Sequence, residues 1–132
     1  MVLAYDKDNQ WEINSPSVLN LLVHITECLN KFTKKYMSIK DCAKLIYVMN
    51  QSVNNWTDDD YLEFLKKSPN NLITSYTTVM KSSKGERTII NRENVNVLKK
   101  DFEFLRKLLS HILACMVLDS KKKLYFFEKK LK

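Results

Sequence analysis

One glycine in 132 residues, Gly85, beside two prolines, Pro16 and Pro69, constrains this chain more than any other feature. Glycine reaches positive φ without steric cost, and tight hairpins, bulges and helix C-caps draw on it. A chain almost without it suits helices joined by asparagine and serine linkers, and both residues are plentiful here. The expected fold is all-α, an irregular bundle of about five helices with a long C-terminal helix at its centre.

The length fits one domain spanning residues 1–132, and a chain of this size buries about two-thirds of its unfolded surface, enough for a core without staples. Hydrophobic residues make up 45% and charged residues 28%, ordinary globular usage rather than the composition of a disordered segment.

Two stretches carry the strongest helical periodicity. Ser15 is placed to cap a helix with Pro16 in its first position, followed by Val18, Leu22, Ile25, Leu29, Phe32 and Tyr36 at steps of four and three. From Asn91 or Arg92 to about Leu118 the apolar positions are Val95, Leu98, Phe102, Leu105, Leu109, Ile112 and Met116. That helix would be roughly 38 Å long, the width of a small domain, with Phe104, Leu108, Cys115 and Val117 forming a second flank. Pairing of this helix with a second chain is the competing use of such a repeat.

Shorter helices are expected after Ser38, with Cys42, Leu45, Ile46, Met49 and Val53 inward, and after Thr57, where Asp60 completes a capping pattern and Pro69 stops the helix. Another is expected after Asn70 or Asn71, carrying Leu72, Ile73, Tyr76, Val79 and Met80; its threonines make it dependent on packing. Thr88, Ile89 and Ile90 form a β-branched run, read as an extended segment or as the entry to the last helix.

The two ends are ambiguous. Residues 1–14 read as a small hairpin or as an extended arm anchored by Trp11, and a lone hairpin is marginal unless it docks on something. Residues 121–132 are basic and aromatic; Leu124, Phe127 and Leu131 fit one helical face, and a strand fits as well.

Charge is the best guide to function. Residues 1–66 hold seven lysines and nine acids, a net −2, whereas residues 67–132 hold fifteen bases and six acids, a net +9. Such a half suits an acidic partner. Lys84, Arg87, Arg92, Lys99, Lys100, Arg106 and Lys107, extended by Lys121, Lys122 and Lys123, are the candidate patch for nucleic acid or an acidic protein face. Glu93, Asp101, Glu103 and Glu128 interrupt it, and neither zinc-finger spacing nor the aromatic motif of RNA-recognition modules is present. The candidate protein interface is Trp56 together with Leu124, Tyr125, Phe126, Phe127 and Leu131. An anionic membrane ranks behind these partners, because a twelve-residue segment is short for autonomous binding.

Catalytic constellations fare poorly. His24 with Cys28 and His111 with Cys115 share i,i+4 spacing, but the couples lie far apart in sequence. Three cysteines, none in a C-x-x-C pair, argue against a disulfide framework or structural zinc. Asp58, Asp59, Asp60 and Glu63 suit a helix N-terminus. Gly85 lacks the glycine pattern of a phosphate loop. The longest apolar run, Ile112 to Leu118, is far below a bilayer span, and no basic-then-apolar leader is visible. The expectation is a non-catalytic, cofactor-free intracellular protein, cytoplasmic or nuclear. It would act as an interaction module or small subunit of a larger assembly, binding another protein or itself, with nucleic-acid binding as the alternative.

Overall fold

The computed structural model describes residues 1–6, 8–28 and 36–127. Along the chain run β1 (Val2–Asp6), β2 (Asn9–Glu12), α1 (Pro16–Cys28), β3 (Tyr36–Met37), α2 (Ile39–Asn55), α3 (Asp58–Lys66), α4 (Asn70–Ser75), β4 (Thr78–Ser82), β5 (Gly85–Ile89), α5 (Arg92–Val117) and β6 (Leu124–Phe127). The fold is mixed α/β. The all-α bundle expected from the single glycine is wrong.

A four-stranded antiparallel sheet in the order β2-β1-β6-β3 joins the two ends of the chain, and β4 and β5 form a separate two-stranded ribbon. The glycine argument failed because it applies to tight turns and says nothing of strands brought together over long range. Strand β6 reaches both β1 and β3 through helical crossovers, so no tight turn is needed there. At the β1–β2 turn Asp8 and Asn9 stand where glycine is often found. The one hairpin that uses glycine places Gly85 at φ +115°, directly after the two-residue turn Ser83-Lys84.

Helix α5 is the spine. Its buried residues are Val95, Leu98, Phe102, Leu105, Leu109, Ile112 and Met116, the stripe read from periodicity. Asn91 caps it, accepting from the Asn94 amide while the Asn94 side chain accepts from the Asn91 amide. Helix α2 packs along α5 most extensively, with α1, α3 and β1 also against it. Ser38 caps α2 through the Asp41 amide, and Thr57 with Asp60 forms a reciprocal box on α3.

One segment departs from a helical expectation, and two others settle between the alternatives the sequence left open. The helix expected through Met80 ends at Ser75, and Thr78–Ser82 becomes a strand. Thr77, Thr78 and Val79 are β-branched and lose rotamer freedom in a helix. The N-terminal hairpin forms and docks: the Trp11 ring meets Tyr5 at 5.3 Å and His111 of α5 at 5.8 Å. Within the basic C-terminal segment, Leu124–Phe127 is a strand in the middle of the sheet, with Leu124 and Phe126 buried and Tyr125 and Phe127 half-buried on the other side, and residues 128–132 lie outside the described residues. Of the first helix, Val18, Leu22 and Ile25 are buried, Leu29 and Phe32 lie outside the described residues, and Tyr36 belongs to β3.

Candidate interaction surfaces

The outward side of the large sheet gathers aromatic rings. Register sets Tyr36 of β3 opposite Tyr125 of β6, with ring centroids 6.2 Å apart. Phe127, two residues along the same strand, stacks on Tyr125 at 6.0 Å with planes 22° apart. Alternation sends Leu124 and Phe126 inward, where they pair with Met37 and Leu3. Tyr36 is 41% exposed. Lys123 holds its Nζ 4.3 Å from the Tyr36 ring centroid, a cation over a π face. Lys121 is exposed at the turn before β6, and Lys122 pairs with Asp6, whose carboxylate raises the lysine pKa.

A second surface lies where α1, α2 and α3 meet. An open groove of about 460 Å³ is lined by His24, Trp56, Asp60, Glu63, Phe64 and Lys67. Trp56 sits at the C-terminal boundary of α2, where its amide donates to the Ser52 carbonyl. Its ring packs within 5.2–5.7 Å of Tyr61, Phe64 and Phe102; Tyr61 and Phe102 are buried and back it, while Phe64 lines the groove beside it. Phe64 also meets His24 at 5.4 Å. Burial pulls the His24 pKa below its ordinary value, with Glu27 pulling weakly the other way. Asp60, Glu63 and Lys67 form the polar rim.

The bases expected to make one patch lie on the β4–β5 ribbon, along α5 and in the turn before β6. Lys84 and Arg87 are exposed on the β4–β5 ribbon. Lys99 pairs with Asp58 and lies 5.7 Å from the Tyr61 ring centroid; its hydrogen bond, with Arg92 contributing at longer range, holds the Asp58 carboxyl below its usual pKa. Lys107 pairs with Glu103 at 3.2 Å. Lys100 borders a separate groove with Phe104, Ile13 and Val18. Arg106 is half-buried, and its Nε is buried without a hydrogen-bond partner among the described residues. Leu131 lies outside the described residues, and Leu124 and Phe126 belong to the core.

Sequence reasoning singled out Trp56, Tyr125, Phe127 and Lys121 to Lys123. It missed Tyr36 as a surface residue, which the helical spacing of the preceding residues absorbed, and it did not single out Phe64. No local signal ties position 36 to position 125, because their pairing is made by the sheet.

Among the described residues no group of three or more His, Cys, Asp or Glu is placed to hold a metal ion, and no helix is long and apolar enough to cross a membrane. His24 lies against Phe64 and His111 against Trp11, so the two histidines do not share a site. Burial pushes the Cys42 thiol up to about 12, the behaviour of a packing residue rather than a nucleophile. No protein-family model, curated protein or solved structure matches this chain.

Proposed function

We propose that this chain is a non-catalytic interaction module, a small subunit of a larger assembly, whose Trp56 groove takes a basic segment of another protein. The observation that carries this reading is Trp56, backed by the buried Tyr61 and Phe102 rings, beside an open groove whose rim holds Asp60 and Glu63 against one lysine, Lys67. Tryptophans fixed in this way are the residues that most often dominate binding energy, since they lose little entropy on docking. The carboxylates select against acidic partners and favour a lysine or arginine beside the apolar contact.

Photo-crosslinking tests the reading. A photoreactive residue at Lys67, on the groove rim, should yield a protein adduct in extracts of the source cells. The same residue at exposed Lys44 on α2 should not. Glu63→Lys in the Lys67 probe should cut the adduct at least about tenfold, the weight of one charge-assisted contact. Equal labelling at both positions, or indifference to the charge reversal, would sink the reading.

A further inference from the structure

We infer that the outward side of the four-stranded sheet is a binding platform for single-stranded nucleic acid, with bases stacking on Tyr36, Tyr125 and Phe127 and phosphates meeting Lys121 and Lys123. This surface shares no residue with the Trp56 groove and stands independently of the function proposed for it.

The aromatics are the first observation. Three rings stand on one side of two neighbouring strands, Tyr36 and Tyr125 at 6.2 Å and Tyr125 and Phe127 at 6.0 Å. The strand's need for core contacts is already met by Leu124 and Phe126 on the opposite side. Cross-strand packing of the rings stabilises the short β3 strand modestly, yet Tyr36 remains 41% exposed. Every base has a π face, so such a row accepts successive bases with little regard to sequence.

Charge selects the ligand. Lys123 sits over the Tyr36 ring, and Lys121 stands exposed in the turn two residues earlier; a base that stacks on Tyr36 displaces the Lys123 ammonium from the ring face towards the adjoining phosphate. Among the described residues 121–127, three are lysines and none is an acid, with Lys122 held by Asp6. A peptide partner would satisfy the rings without needing this local excess of positive charge; a polyanion needs both. Duplex is excluded by the same geometry, since its bases are already stacked and turn only their edges outward. An anionic bilayer would be met by an amphipathic helix with its rings at the surface, whereas these rings are held in sheet register.

The platform is tested by fluorescence anisotropy of the full chain with a labelled single strand of about 12 nucleotides, DNA and RNA, and with the corresponding duplex. Single-strand binding should be saturable, tighter than to duplex, and about sevenfold weaker at about 200 mM than at about 50 mM salt for two phosphate contacts. Tyr36→Ala should weaken it roughly 5- to 150-fold, the range for one stacked base. Tyr36→Leu keeps apolar bulk on the edge strand and should weaken binding with an unchanged circular-dichroism spectrum. Lys121→Glu with Lys123→Glu should weaken binding and flatten the salt dependence. Absence of single-strand binding overturns the inference, as does preference for duplex, affinity unchanged in Tyr36→Leu, or capture by phosphatidylserine vesicles in place of the oligonucleotide.

Discussion

Tyr76 shows how one polar contact ties distant parts of this chain together. Its hydroxyl, on a nearly fully buried ring, donates to Asp101 Oδ2 of α5 at 2.5 Å, and Ser17 of α1 donates to the same carboxylate oxygen at 3.3 Å. Burial and the Asp101 carboxylate both hold the Tyr76 phenol above its ordinary pKa. The unfolded chain gives up this proton near pH 10 while the folded chain keeps it. The contribution is therefore complete below about pH 10 and falls away as pH rises above it. Tyr76→Phe should cost about 1–3 kcal/mol at neutral pH and flatten the alkaline loss of stability; urea melts of both proteins at several pH values would check this. An unchanged alkaline slope would place the loss in other groups. Cys42 yields a related expectation. Fully buried, with its thiol pushed up to about 12, it should react with thiol reagents near pH 8 only as fast as the chain opens. Half-buried Cys115 should react sooner. Mass spectrometry of partially labelled protein would order the two, and early labelling at Cys42 would mean local opening of α2.

At the scale of elements, α5 carries the most weight. Leu105 lies in the middle of its buried stripe with no exposed surface, so Leu105→Ala should destabilise by about 2–5 kcal/mol in a urea melt. A cost below about 0.5 kcal/mol would mean that its surroundings collapse into the space. This helix was legible in sequence because its period repeats over seven inward positions and its cap is local. The strands were not, for reasons that differ by strand. In β6, Leu124 and Phe127 fit a helical face while Leu124 and Phe126 fit a strand; a four-residue element cannot decide between periods of 3.6 and 2. In β4, Val79 and Met80 continue the spacing of Leu72, Ile73 and Tyr76, yet both are about half exposed on the ribbon. The threonines between them, already poor helix formers, mark the true boundary. The groove was half legible: Trp56 beside polar loop residues announces itself, whereas His24 joins it only because α1 packs near α3.

For the molecule as a whole, the decisive feature is that its two ends meet in one sheet. Strand β6 lies between β1 and β3, with Val2 opposite Phe127 and Met37 opposite Leu124. Leu3, Met37, Leu124 and Phe126 join the same buried cluster as the inward side of α5. Such long-range pairing gains nothing until both termini are in place, so folding should be all-or-none with respect to the ends. Deleting residues 121–132 would uncover the inner side of β1 and leave β3 without its partner. The truncated chain should then lose the cooperative urea transition. Deletion also removes six lysines and one glutamate, so the loss has a second possible origin in altered charge. Phe126→Asp separates the two. It changes charge by a single unit but places a carboxylate in the core cluster, beside buried Leu3, where an unpaired charge costs several kcal/mol. If the sheet completes the core, both variants fail to fold. If Phe126→Asp melts cooperatively near the parent midpoint while the truncation does not, the terminal lysines sustain the fold through charge. If both remain cooperative, the helices around α5 fold by themselves and the sheet is an appendage to them.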